Sequence, residues 1–135
     1  MKKKILIIVI LAMMVGGYFA YYMYNKPHRN IAEEKAMYTL TSNQIFDDFE
    51  ADEEFANRKY LDKTIEIYGK IINIDKDQTE NTVLTLEAEN AIIGGVLCTL
   101  KDKSIVFKEN SDVTLKCRCT GFLMDVIFID CSVVK

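Results

Sequence analysis

The chain has 135 residues, half of them hydrophobic, with 17 Lys+Arg against 20 Asp+Glu and a net charge of −3. That length allows one domain and a tether. A single histidine excludes any Ser-His-Asp or Cys-His site that does not use His28, which follows an apolar N-terminal run.

Lys2, Lys3 and Lys4 precede that run. Without them 14 Lys+Arg face 20 Asp+Glu, so the remainder stands at −6. A domain of that charge repels phosphate polymers unless it holds a basic groove.

Residues 5–24 carry no charge, and a helix of that length crosses a bilayer core of ~30 Å. The far end is aromatic (Tyr18, Phe19, Tyr21, Tyr22, Tyr24) and suits the headgroup level. Pro27 stops the helix. The run fits a single-pass signal anchor over residues 1–25. It also fits a cleaved signal peptide with a small-residue site near Val15-Gly16-Gly17. No cysteine stands at the end of the h-region, which excludes a lipoprotein anchor. Three leading lysines and the α-amine face Lys26, Arg29 and Lys35, and the four-residue head is the easier end to leave behind, which predicts an inner-membrane protein with its C-terminal domain in the periplasm.

Residues 26–40 read as a mixed polar linker and residues 41–135 as a folded domain. Thr41 is a good N-cap, Gln44 completes a capping box, and Leu40 and Ile45 stand at the positions of a hydrophobic staple. Ile45, Phe46 and Phe49 follow at helical spacing. Asp52-Glu53-Glu54 begins a second short helix ending near Lys59. Ile65, Ile67, Gly69 and Ile71 alternate with polar residues, as in a half-buried strand. The buried phase then flips to Ile72 and Ile74, and a flip beside a glycine predicts a bulge. Further strands are expected over 83–88, from Gly94-Gly95 to Leu100, over 113–119 and over 126–134. The stretch 101–112 is a connector. Five strands with a long first one make this a mainly β chain with the pattern of the OB-fold, a five-stranded Greek-key barrel. A short helical segment and a transmembrane helix precede the barrel.

Cys117 and Cys119 share a strand face with Val113 and Leu115, and Cys98 shares one with Val96 and Leu100, so these three point to the core; Cys131, on the last strand, is the fourth cysteine. Outside the cytoplasm such cysteines are usually paired. Cys117 and Cys119 are neighbours on one strand and poorly placed to bond each other. That leaves 98–119 with 117–131, or 98–117 with 119–131; four reduced thiols acting as small apolar groups are the alternative. Cys117-x-Cys119 is the wrong spacing for a zinc knuckle, so no metal is expected. Asp75-x-Asp77-x-Thr79-x-Asn81 resembles a calcium loop but has Glu80 and Leu86 where that loop needs glycine and glutamate. It reads as a turn.

Residues 120–125 join the last two strands, where OB-folds rim their ligand groove. Phe122, Leu123 and Met124 either cap the barrel end or form a partner patch. Asp125 is a candidate ligand contact, or a turn carboxylate bonding its own backbone. Tyr68 and Lys70 are the outward aromatic-basic pair that a nucleic-acid groove would need. The acidic balance weighs against that partner. The expectation is a membrane-anchored binding or scaffolding module for a protein or small ligand, without a cofactor and without an enzymatic site.

From Thr39 onward the chain resembles the tRNA_anti-like family of OB-fold domains. The likeness is carried by Asp52-Glu-Glu-x-Ala56-Asn57-x-Lys59-Tyr60-Leu61-x-Lys63, Gly69, Gly94-Gly95-Val96-x-Cys98, Cys119-Thr-Gly-Phe-Leu-Met-Asp-Val126 and Cys131. The resemblance implies a small bacterial OB-fold protein, often membrane-anchored. Members usually have glycine where Asn110-Ser111 and Arg118 stand here, and Cys117 looks like an extra cysteine. The family's name reflects a fold likeness to anticodon-binding domains and does not imply tRNA binding.

Overall fold

The computed structural model describes residues 2–25 and 30–134. The expected helix stop at Pro27 and the lone His28 lie outside the described residues. Helix α1 (Lys2–Tyr24) is unbroken. From Lys4 to Tyr24 its mean hydropathy is 2.2 and none of it is buried within the protein. Those 21 residues extend ~31 Å, about the thickness of a bilayer core.

Strand β1 (Tyr38–Thr41) closes the stretch expected as linker. It runs parallel to the start of β2 (Thr64–Lys76), with Tyr38 opposite Ile65 and Thr41 opposite Tyr68. More of that stretch is docked: Ile31 is buried, the Met37 N–H donates to the Thr64 carbonyl at 2.8 Å, and Lys116 Nζ donates to the Ala32 carbonyl at 3.3 Å. A strand of four residues is too short for its alternation to stand out in sequence.

Helix α2 (Ser42–Ala51) starts at the expected cap. The Gln44 N–H donates to Thr41 Oγ1 at 3.2 Å and the Thr41 N–H donates to Gln44 Oε1 at 3.0 Å, which satisfies two orphan donors of the first turn. Its apolar face, Ile45, Phe46 and Phe49, is buried. Asp52 caps α3 (Glu53–Tyr60) by accepting from the Phe55 N–H at 2.9 Å. Tyr60 is buried, and its phenol donates to the Asp48 carboxylate across the two helices. Burial, and then that bond, hold the Tyr60 phenol above its ordinary pKa.

The barrel comprises β2, β3 (Thr82–Leu86), β4 (Val96–Leu100), β5 (Asp112–Leu123) and β6 (Asp125–Val133) in the order β2-β3-β4-β6-β5. It closes because β5 returns to β2. The β4–β6 pair is parallel and the other barrel pairs are antiparallel. This is the expected five-stranded OB-fold, with β1 added beside β2. The long strand serves both neighbours in turn: residues 64–70 pair with β5, and Ile71 onward pairs with β3. The register shifts between Ile71 and Asn73. Ile72, expected on the buried side, is the extra residue of that bulge and faces outward; the inward phase resumes at Ile74, packed against the core.

Alternate residues of every barrel strand fill the interior: Ile65 and Ile67, Leu84 and Leu86, Val96 and Cys98, Leu115 and Cys117, Val126 and Phe128. Full burial of a side chain of this size contributes ~1.5–3 kcal/mol. The connector over 101–111 contains no helix or strand; α2 and α3 close the barrel end instead, with Phe49 and Tyr60 in the same core. Gly69 permits that closure: a Cβ there would stand 2.7 Å from Ser42 Oγ and 3.2 Å from Leu86 Cδ1. Asn110 adopts a φ of 61°, a left-handed conformation that glycine would adopt without strain and that asparagine tolerates better than most residues. Arg118 meets two acids, donating to Asp62 at 3.1 Å and Asp130 at 2.9 Å.

Candidate functional site

The structure separates the residues singled out in the sequence into two concavities. Tyr68 and Lys70 line the first, a small depression of 190 Å³ at the start of α2. They do face outward, and Tyr68 is 48% exposed. Glu87, Glu89 and Asp112 line the same depression. Its floor is already committed: Ser42 Oγ donates to the Glu87 carbonyl, and the Glu89 N–H donates to Asn43 Oδ1 at 2.9 Å. One lysine among three carboxylates offers a phosphate backbone little net attraction.

The expected loop over 120–125 is mostly strand. β5 runs to Leu123 and β6 starts at Asp125, so the turn is Met124 alone, at φ 65°. Phe122 turns inward and packs on Phe49 with ring centroids 5.7 Å apart, and edge-on to Phe46 at 5.9 Å. Leu123 and Met124 stand out, 77% and 67% exposed. Asp125 bonds neither its own backbone nor an open groove. Its Oδ1 accepts from the Gly95 N–H at 2.6 Å, clasping the entry of β4 to the hairpin tip. Gly94 has a φ of 95°, and a Cβ there would overlap that carboxylate. The Gly94-Gly95 pair and Asp125 therefore form one local device.

The second concavity lies between α2 and this tip, with a volume of 610 Å³. Phe46, Phe49 and Phe122 line it, and Met124 stands beside them. Ile92 and Ile93, on the arm joining β3 to β4, form another wall while being 98% and 73% exposed. Glu50 and Glu53 are the charged residues of the lining. Sequence reasoning missed the arm. Two adjacent isoleucines before Gly94-Gly95 were its signal, since bulky apolar residues in a loop need either a core or a partner.

The cysteines are all buried, and Cys117 is bonded to Cys131 while Cys98 and Cys119 remain thiols. Neither two-disulfide scheme is complete, and register explains why. Cys98 on β4 and Cys119 on β5 both sit opposite Phe128 of the intervening β6. Two strand spacings separate them by ~9.5 Å, beyond the Cα reach of a disulfide. Cys131 reaches Cys117 because the register of β6 against β5 shifts between Lys116 and Arg118, near Asp130 at φ 56°. Burial pushes the Cys119 thiol up to about 11 and the Cys98 thiol higher still. Neither is poised as a nucleophile. The sulfurs of Cys98, Cys117 and Cys131 lie within 4.8 Å of one another, but two of them are consumed by the disulfide and offer no thiolate to a metal. Asp77 anchors the turn read against a calcium loop. It accepts from both the backbone and side chains of Thr79 and Asn81, and these bonds, the Asn81 N–H first, lower its pKa to about 2.

No curated protein matches the chain. A crystal structure from Klebsiella pneumoniae subsp. pneumoniae MGH 78578, of a protein provisionally described as a nucleic acid-binding lipoprotein, is similar with a TM-score of 0.55 and 17% identity. The match covers 82% of this chain and 100% of that one. At that identity the likeness supports the fold alone. The family model of the tRNA_anti-like domains matches residues 1–133. With the closed five-stranded barrel and its leading apolar helix, the chain belongs to the tRNA_anti-like family.

Proposed function

We propose that the protein is a single-pass, inner-membrane-anchored binding module that presents its OB-fold to the periplasm and engages a protein or small ligand. It is not an enzyme in this reading: the buried thiols are held protonated and the sequence has a single histidine. The observation that carries the proposal is that both concavities bear carboxylates. Glu87, Glu89 and Asp112 surround Lys70, and Glu50 and Glu53 border the aromatic cleft. Single-stranded nucleic acid requires the reverse, cations interleaved with stacking rings.

A nucleic-acid reading has one feature in its favour, the exposed Tyr68 beside Lys70, and it is what the Klebsiella protein's description would suggest. Equilibrium binding of the full-length protein to labelled single-stranded DNA and RNA separates the two. The expected result is no measurable affinity at physiological salt. Micromolar binding that weakens with salt and is lost in Tyr68→Ala would overturn the proposal.

A further inference from the structure

We infer that the cleft between α2 and the hairpin tip is a docking groove for a basic, apolar peptide segment of a partner protein. This rests on reading the domain as a binding module and names the chemistry of what it binds.

Large apolar side chains distant in sequence converge there. Phe46, Phe49 and Phe122 give it an apolar lining, and Ile92, Ile93 and Met124 join them although solvent reaches most of their surface. Isolated apolar residues on a surface need no explanation, but several meeting at one concavity mark an interaction site. At 610 Å³ the cleft is of the size that ligand sites have, ~300–1,000 Å³.

The cleft is also built in advance. The arm bearing Ile92 and Ile93 is tied at both ends. The Glu89 N–H donates to Asn43 Oδ1 at 2.9 Å and Asn90 Nδ2 donates to Asp47 Oδ1 at 2.8 Å, both on α2. Beyond the isoleucines, the Gly95 N–H donates to Asp125 at 2.6 Å. Asp125 thus acts as a positioning residue, fixing the arm against the tip that carries Met124. A wall already fixed spares a ligand the entropy of ordering it.

Charge selects the occupant. Glu50 and Glu53 border the apolar lining, and no cation lines the cleft among the described residues. The nearby basic side chains of α3 are engaged, Arg58 with Glu54 and Lys59 with Asp48. A carboxylate beside apolar surface attracts a cation more strongly than one in open water. Anionic lipid and nucleic acid are repelled by the same two groups. A second copy brings the same acidic surface and is repelled too. A peptide that alternates large apolar residues with Lys or Arg satisfies both features at once.

The test uses the full-length protein in phosphatidylcholine nanodiscs and a short fluorescent peptide of Leu, Phe and Lys. Two control peptides replace Lys by Glu, or Leu and Phe by Ser. Only the basic apolar peptide should bind. Its Kd should rise about five-fold in Glu50→Gln/Glu53→Gln and about ten-fold or more in Ile92→Ser/Ile93→Ser. All four side chains lie outside the core, so circular dichroism melts should match the parent protein. Binding of the Glu peptide with equal affinity, binding unchanged in both variants, or no binding of the Lys peptide would each overturn the inference. If single-stranded DNA binds instead and Tyr68→Ala abolishes it, the proposed function fails with it; if neither ligand binds, only the peptide inference fails.

Discussion

Phe122 shows at the scale of one residue how the site and the fold share material. It packs on Phe49 and Phe46, yet one side of it lines the cleft. Phe122→Ala should therefore cost about 2 kcal/mol, less than a fully buried phenylalanine. Leu123→Asp and Met124→Asp should leave the melting temperature nearly unchanged, because both side chains project outward. Thermal melts of the full-length protein in detergent decide this; an unchanged midpoint for Phe122→Ala would sink the packing account. Asp77 gives a pH prediction. Its folded pKa of about 2 lies below the ~3.9 of an unfolded aspartate. Its stabilising contribution is complete above the unfolded value and disappears as pH falls through the folded one. Asp77→Asn should flatten the loss of stability between about pH 4 and pH 2, read from urea midpoints against pH. An acid limb as steep as the parent's would rule out Asp77 as its source. These two residues also mark what the sequence made legible. The Asp77 turn followed from local pattern, whereas pattern left Phe122 open between a barrel cap and a partner patch, and only its packing on Phe49 and Phe46 decides between them. The partner of Asp125 did not follow from pattern, because Gly95 is 30 residues away and no local signal names a distant backbone donor.

Among the elements, the contact of α2 with β2 decides whether the barrel end closes. Gly69 lies where Ser42 arrives, and an added Cβ would meet Ser42 Oγ at 2.7 Å and Ser42 Cβ at 3.0 Å. Gly69→Ala should destabilise by about 1–3 kcal/mol through overpacking. Ser42→Gly removes both opposing atoms and the hydrogen bond to the Glu87 carbonyl, so alone it destabilises too. Together the two changes should cost less than the sum of their separate costs, with a coupling of about 0.5–3 kcal/mol. Strict additivity in a double-mutant cycle would show that the contact is not what fixes α2. Strand faces and helix caps were readable because parity and capping are local rules: the Thr41 box and the inward Leu115, Cys117 and Cys119 follow from them. β1 and the shift near Asp130 were not. A strand of four residues carries little pattern, and a left-handed Asp130 inverts the parity that strand reasoning extends. That inversion also decided which cysteines meet, so the disulfide pattern could not be settled from spacing alone.

For the whole molecule, the question is on which side of a membrane the acidic barrel works. α1 has the length and hydropathy of a membrane span, and Lys2, Lys3 and Lys4 precede its apolar part. Basic residues are retained on the cytoplasmic side, where translocating them is disfavoured. Lys26, Arg29 and Lys35 oppose that bias in equal number, so its sign rests on the short head being the end more easily retained. A C-terminal alkaline phosphatase fusion should be active and a C-terminal cytoplasmic fluorescent reporter dark. Replacing the three leading lysines by glutamate removes the bias and should lower phosphatase activity several-fold while raising fluorescence. The Cys117–Cys131 bond gives an independent check, since such bonds persist in the periplasm and are rare in reducing cytosol. Alkylation of membranes quenched in acid, before and after reduction, should therefore find this pair blocked until reductant is added. An inactive phosphatase fusion together with four free thiols would place the domain in the cytoplasm. The docking groove would then face cytoplasmic partners, and the periplasmic part of the proposed function would have to be abandoned.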